Sequence, residues 1–273
     1  MTAIDRAPLI TSVANPAVKA AAKLVTRKGR RDQGRFLVEG PRAVTDGIDH
    51  IDELFITERS AREHEHLVES LAAKGAQIRL VSDEVLHTIA DTVTPQGMIG
   101  AAPMHTAVID DVLATEPKLI IVLDQVADPG NAGTILRTAD AAGADAVVYL
   151  NGSTDPFSPK AIRSSVGSVF HLPIIIGADP GELYTALATS SMTIFAAQVH
   201  EGEDVFSISV DGPIALVFGG EASGLSQTTV DSANRLVRIP MPSTQRPGYH
   251  GHAESLNLSA AAAIMTFAIA RAQ

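Results

Sequence analysis

The chain has 273 residues, 45% of them hydrophobic, enough for one large folded domain or two ordinary ones. Its formal net charge of −10 argues against a uniformly basic nucleic-acid coat, and the absence of cysteine excludes disulfides, thiolate chemistry and Cys-ligated zinc. The first residues carry no basic segment followed by an apolar core, and the longest apolar stretch, at 258–270, is too short and too rich in small residues to span a bilayer, so a cytoplasmic chain is expected.

Asn15 before Pro16 reads as an N-cap and first helical residue. That helix turns Val18, Ala21, Leu24 and Val25 inward and runs to about Gly29. A strand is expected at 36–39, a helix from Pro41 and a second strand at 53–57. Ser60 and Glu63 have capping-box spacing before a helix ending at Gly75. Strands at 77–81 and 97–102 complete a small α/β domain, residues 1–105.

Charge is uneven inside this domain. Between 19 and 42 there are eight basic residues, Lys19, Lys23, Arg27, Lys28, Arg30, Arg31, Arg35 and Arg42, against only Asp32 and Glu39. Such a surplus in an acidic chain suggests a local polyanion contact centred on Arg30, Arg31 and Arg35. A solvated helix face is the competing reading.

Residues 106–117 lack periodicity, carry Asp110, Asp111 and Glu116, and read as a linker. A second α/β alternation fills 118–273. Its strands are expected at 119–124, 145–150, 170–176, 193–197, 213–218 and 235–239. Its helices are expected near 131–142, 158–166, 180–189, 226–232 and 255–271. The alternation predicts a parallel sheet with helices on both faces.

Three stretches carry chemistry. The first, 119–143, is an unbroken apolar strand, a turn containing Pro129, Gly130, Asn131 and Gly133, and a helix ending at Gly143. In an open α/β sheet such a turn lies at the carboxyl edge, where ligands bind. An ordinary unit with a capping Asn131 and a surface Arg137 is the plainer reading. The second, 216–226, is a strand ending in Gly219 and Gly220, then Glu221, with Gly224 beyond. Glycines there let backbone amides approach a ligand. Leu225 stands where a P-loop has lysine, and no GxGxxG occurs, so phosphate-loop and dinucleotide readings fail. The third is the IPMP segment at 239–242 and then Ser255, a candidate cap for the last helix, with Asn257 and Ser259 in its first turn. His250 and His252 lie between these pieces without metal-ligand spacing, so no metal is expected.

The order N-x-G-x-x-x-R-T-A, F-G-G-E-x-x-G-L, I-P-M and S-L-N-L-S resembles the SpoU (TrmH-type) branch of the SPOUT RNA 2′-O-ribose methyltransferases. In this chain these motifs lie at 131–139, 218–225, 239–241 and 255–259. FLVEGPRAV at 36–44 resembles that family's L30e-like RNA-binding domain. The resemblance implies an α/β fold with a carboxyl-terminal parallel sheet tied in a deep trefoil knot, against the usual rule that chains do not thread loops. It implies S-adenosylmethionine as donor, an RNA substrate and a homodimer whose active sites take residues from both subunits. Asn131, Arg137, Glu221, Ser255 and Asn257 match the family's active-site polar residues. Gly219, Gly220, Ile239, Met241, Leu256 and Leu258, with Ala197 and Gln198, match or flank its donor-holding positions. Arg163 matches a second arginine near RNA or donor. The two-domain layout is closer to ribosomal-RNA enzymes of the thiostrepton-resistance type than to compact tRNA enzymes, so large-subunit (23S) rRNA is the expected substrate. A tRNA enzyme is one alternative. A non-catalytic RNA-binding protein is another, but it would be expected to lose Arg137 or the 219–221 turn. The segment between Met241 and Ser255 is longer than in compact members.

Overall fold

A computed structural model describes residues 8–241, 253 and 255–273. They divide into two compact units: residues up to Met104 together with Phe157–Phe170, and His105–Pro156 together with the described residues from His171 onward.

The first unit opens with two helices where the pattern suggested one. In α1 (Pro16–Lys23) the Asn15 side chain accepts the Ala17 N–H. The helix stops because Thr26 starts another: its hydroxyl accepts the Gly29 N–H at 3.0 Å and caps α2 (Arg27–Gln33). The turn is so tight that a Cβ on Gly29 would sit 1.9 Å from the Lys23 carbonyl oxygen. Then follow β1 (Arg35–Glu39), α3 (Pro41–Asp46), β2 (Glu53–Ile56), α4 (Glu58–Glu63), α5 (Glu65–Ala73), β3 (Gln77–Leu80), α6 (Asp83–Ile89) and β4 (Met98–Pro103). The sheet order is β1-β4-β2-β3, with β4 antiparallel to both its neighbours. Val18 and Leu24 of the α1 region, Leu86 of α6, and Phe55 and Ile99 of the sheet share one core. The capping-box reading of Ser60 and Glu63 is overturned: Thr57 caps α4, Ser60 is buried, and Glu63 accepts from Arg59 at 2.8 Å.

The second unit starts earlier than the periodicity suggested. Within the expected linker lies α7 (Ile109–Leu113), and its Val112 is buried in this unit's core. Next come β5 (Leu119–Asp124), α8 (Pro129–Ala141) and β6 (Ala146–Leu150). Every residue of β5 is buried, and each of its large side chains contributes roughly 1.5–3 kcal/mol by leaving water. After β6 the chain supplies α9 (Pro159–Ser165) and a 3-10 turn (Ser168–Phe170) to the first unit. The remaining elements are β7 (Ile174–Ala178), α10 (Pro180–Thr189), β8 (Thr193–Ala197), β9 (Glu203–Asp204), β10 (Ile214–Gly219), α11 (Gln227–Ser232), β11 (Arg235–Arg238) and α12 (Leu258–Ala272).

These strands form one sheet in the order β7-β6-β5-β10-β8-β11-β9, parallel throughout. From β5 the chain first builds outward to β7, then crosses to the other side, where it lays β8 and β9 before β10 fills the place beside β5. The β5/β10 boundary is therefore the switch point at whose carboxyl edge a ligand crevice opens. On one face α8 and α12 pack together, burying Ile135, Leu136 and Ala139 against Ala262, Met265 and Ile269. On the other, Leu183, Tyr184 and Leu187 of α10 join Ile120, Val122 and Val148. The consecutive strands β8 and β9 flank β11, so the chain crosses β11 between them, with Gly202 pressed against the Leu236 carbonyl.

Residues 157–170, expected in the second domain, are built into the first unit. Phe157 is buried with its ring centroid 5.0 Å from that of Phe36; Phe170 lies 5.7 Å from Phe36 and stacks on His50. This capture is why the strand expected at 170–176 begins only at Ile174. Among the described residues no helix is long and apolar enough to cross a membrane.

Candidate active site

Three chain segments converge at the carboxyl edge of β5 and β10. After β5, Gln125 turns the chain with φ 57° and Asp128 becomes the cap of α8, its carboxylate accepting the Asn131 N–H at 2.9 Å. Asn131 is therefore not the cap, and its side chain is released for other bonds. After β10, Gly219 and Gly220 fold the chain back on itself. A Cβ on Gly219 would fall 2.4 Å from the Gly224 carbonyl carbon, and one on Gly220 would fall 2.3 Å from the Gln125 oxygen. Gly220 and Gly224 exchange both backbone bonds, at 3.0 and 2.9 Å. At the third segment Asn257, not Ser255, caps α12, accepting from the Ser259 and Ala260 amides.

A polar chain links the three. The Asn131 Nδ2 donates to Glu221 Oε1 at 2.6 Å, and the Ala127 N–H approaches Glu221 Oε2 at 3.4 Å. An ionised carboxylate only accepts, so Glu221 fixes the amide with its Oδ1 turned the other way. That oxygen accepts from Ser259 Oγ at 3.1 Å and from Asn257 Nδ2 at 3.4 Å. Asn257 Oδ1 lies 2.6 Å from the same Ser259 Oγ, so the single hydroxyl proton is shared between the two amide oxygens.

Beside this chain lies a cavity of about 340 Å³. Ala197 and Gln198 after β8, Gly219, Gly220 and Glu221 after β10, Ile239 after β11, and Ser255, Leu256, Asn257 and Leu258 before and into α12 all line it. Met265, Leu225 and Phe218 add apolar surface. Met241 is described but does not line the cavity. Residues 242–252, with His250 and His252, lie outside the described residues.

Arg137 stands apart from this constellation. It is six residues beyond Asn131 on α8, exposed and absent from the cavity wall, and its side chain bonds to no described residue. The expected RNA-facing arginines also separate. Arg30 is 3% exposed, with Nη1 donating to the Leu24 and Val25 carbonyls at 2.8 Å each. Arg35 pairs with Asp52, and with Glu53 at 3.1 Å. Arg163 belongs to the first unit, where it donates to Asp91 at 2.9 Å. Arg31 is exposed, as are Lys19, Lys23, Arg27 and Lys28. Sequence reasoning missed Ser259 as a site residue, although it stood inside S-L-N-L-S; its spacing of two from a capping Asn was the available signal.

Residues 118–267 match the SpoU rRNA Methylase family, and residues 15–100 match an MRM3-like substrate binding domain. The chain belongs to the SpoU rRNA methylase family. The 23S rRNA (guanosine(2553)-2′-O)-methyltransferase RlmP of Bacillus subtilis is 31% identical to this SpoU chain over 94% of it and 97% of the relative. A 23S rRNA (uridine(2479)-2′-O)-methyltransferase of Streptomyces viridochromogenes is 28% identical, over 92% and 87%. Among solved structures, the AdoMet-bound rRNA methyltransferase of Sinorhizobium meliloti superposes with a TM-score of 0.84 at 31% identity, covering 97% of this chain and 98% of that one. The AviRb methyltransferase of Streptomyces viridochromogenes in complex with AdoMet gives 0.81 at 26%, over 94% and 97%. The SpoU chain is thus a methyltransferase that uses S-adenosylmethionine.

The cavity fits that donor. Its volume falls within the range of small-molecule pockets. The backbone of 219–220 is bare where a Cβ could not be accommodated, so a ligand can approach its amides closely. Leu225, Ile239, Leu256, Leu258 and Met265 offer apolar surface to a flat heterocycle.

Proposed function

We propose that this enzyme methylates a ribose 2′-hydroxyl of large-subunit (23S) ribosomal RNA, and that the residues just described divide into donor-holding, orienting and RNA-facing groups. The observation that carries the reading is the Asn131–Glu221 bond, which ties the N-x-G-x-x-x-R and F-G-G-E motifs together at the mouth of the cavity. The two ribosomal relatives named above act on a guanosine and a uridine, so the reading assigns the ribose and leaves the base open.

When bound, S-adenosylmethionine supplies an electrophilic methyl group on a sulfonium. The chain's residues then have two tasks. Gly219, Gly220, Ile239, Leu256 and Leu258, with Ala197 and Gln198, hold the donor. Glu221, Asn131, Asn257 and Ser259, with Ser255, orient the incoming ribose, where alignment alone is a large rate factor. A ribose hydroxyl is a weak nucleophile until its developing charge is stabilised. Arg137 serves that need as a cation: a guanidinium stays protonated in proteins, so it clamps a neighbouring phosphate and stabilises alkoxide character.

Arg137 is exposed and off its own chain's cavity wall, which supports its acting at the site of a second copy. Ile264 and Phe267, one turn apart on α12, are 36% and 44% exposed and offer that copy an apolar face. The reading therefore takes a homodimer with closed twofold symmetry. The crossing of β11 between β8 and β9 supports the knotted path that the family resemblance implies. In the first unit the RNA-facing role passes to Lys19, Lys23, Arg27, Lys28 and Arg31, since Arg30 is buried against backbone carbonyls and Arg35 is paired with Asp52 and Glu53.

The test is methyl transfer from labelled S-adenosylmethionine to ribosomal RNA taken from cells lacking this gene, with the product mapped as a 2′-O-methylated nucleotide. Incorporation confined to tRNA would replace the substrate. Donor binding with no transfer to either RNA would favour a non-catalytic RNA-binding role.

A further inference from the structure

We propose that Asp124 is a positioning residue for the donor site: it sets where the 220–225 turn stands, and so sets donor affinity, without touching donor or RNA. Asp124 closes β5 opposite Gly219 of β10 and is 1% exposed. Its Oδ2 accepts two short bonds, from the Ser226 N–H at 2.7 Å and from Thr229 Oγ1 at 2.6 Å. Ser226 is the first residue after the turn and the N-cap of α11, its own hydroxyl accepting the Thr229 N–H at 3.3 Å. Tyr184 of α10 lies 2.6 Å from Thr229 Oγ1. A carboxylate only accepts, so the Thr229 proton points to Asp124 and the Tyr184 hydroxyl donates to Thr229. One buried carboxylate thus ties β5, the turn exit, α11 and α10 together.

The turn needs such an anchor. Its entry is fixed where Gly219 leaves the sheet and its neck by the paired bonds between Gly220 and Gly224. Its exit is held by the Asp124 bond to Ser226. Gly224 and Leu225, the two residues before Ser226, are both part of the cavity wall. A displacement at Ser226 therefore moves the donor's surroundings directly.

The other carboxylate oxygen supports a role beyond stability. Asp124 Oδ1 is buried and has no hydrogen-bond partner among the described residues. A half-satisfied buried carboxylate is an expensive way to hold one amide. The arrangement is explained if the two bonds to Oδ2 are needed at that length.

The inference rests on assigning the donor to this cavity, and the experiment separates the two. Donor affinity is measured by calorimetry on the full-length protein, and methylation kinetics are measured at saturating RNA, for the wild type, Asp124→Ala, Thr229→Val and Thr229→Ser. The expected result for Asp124→Ala and Thr229→Val is a donor Kd and KM raised about tenfold, the scale of one lost bond to a charged group, with kcat at saturating donor within about twofold. Thr229→Ser, which keeps the hydroxyl, should restore both constants. Should Asp124→Ala not fold, the two Thr229 variants carry the test alone. A merely structural role lowers the melting temperature and the active fraction, hence apparent kcat, while Kd stays at the wild-type value; that outcome overturns the proposal. Donor affinity left unchanged by Leu256→Asp in the cavity wall would refute the cavity assignment itself.

Discussion

Arg30 and Arg31 are neighbours in sequence with opposite fates, and replacing each by alanine makes the sharpest test of how the first unit is put together. The last carbonyls of a helix have no partner within it and carry partial negative charge. Arg30 reaches back from α2 and donates to the carbonyls of Leu24, the C-cap of α1, and Val25, the residue after it. A bond to a charged group contributes roughly 1.5–3 kcal/mol, and the two share one nitrogen and are not additive. Allowing for partial rehydration of the freed carbonyls, Arg30→Ala should cost about 2–4 kcal/mol, a drop in melting temperature of about 10 °C for a unit of this size. Arg31→Ala removes an exposed side chain and should change stability by less than about 0.5 kcal/mol. Its effect should fall on RNA binding, where each lost phosphate contact flattens the salt dependence of affinity by about 0.7–0.9 units of slope. Urea unfolding followed by hydrogen exchange within 16–33, and filter binding over a salt series, read the two quantities. Unaltered unfolding in Arg30→Ala would refute the clamp, and an unchanged salt slope in Arg31→Ala would make Arg31 a solvated residue.

Asn131→Asp sets a second carboxylate beside Glu221 at hydrogen-bond distance, where two like charges repel by about 1 kcal/mol even with water-like screening and more once substrate excludes water. Single-turnover rates should fall near pH 7.5 and recover in part toward pH 5.5, as the pair takes up a proton; a flat profile would count against the orienting role of this amide. Mixing inactive Arg137→Ala and Glu221→Ala proteins should restore roughly a quarter of wild-type sites if each active site draws on both copies of a twofold dimer, and none if it does not. Burial, aided by the nearby charge of Asp124, pushes the Tyr184 hydroxyl up to about 12. The unfolded chain loses that proton near pH 10 and the folded one does not, so stability should decline between pH 10 and 12, and Tyr184→Phe should lessen the decline in alkaline denaturation series.

The second unit's strands were legible because a parallel sheet buries whole strands, and β5, β6 and β10 read as unbroken apolar runs. The cavity was legible from motifs, since close approach needs glycine at 219 and 220 whatever the rest of the chain does. What stayed hidden depended on contacts remote in sequence. Nothing near Arg30 announces that its side chain turns inward, because its partners are backbone carbonyls of the link between α1 and α2. Thr26 looked like one more helical residue until its hydroxyl was seen capping α2. Asp124 read as the end of a strand; its bonds lie 102 and 105 residues away. Asn131 looked like a cap because Asn favours that position, and the better-placed Asp128 took the role.

The capture of 157–170 by the first unit bears on how the protein is made. Ribosomes deliver domains in order, and an amino-terminal domain ordinarily closes its core while the rest is still being synthesised, at about 5–20 residues per second. Here Phe36 waits for Phe157 and Phe170, so the first unit has all its residues only when synthesis has passed 170 rather than 104. At that pace the interval is about 3–13 s, during which an incomplete apolar surface stands open beside the emerging strands of the methyltransferase sheet. For the same reason a cut at residue 105 does not release an intact carboxyl-terminal half: it strips Phe157, Ile162 and Phe170 of the core they were selected to fill.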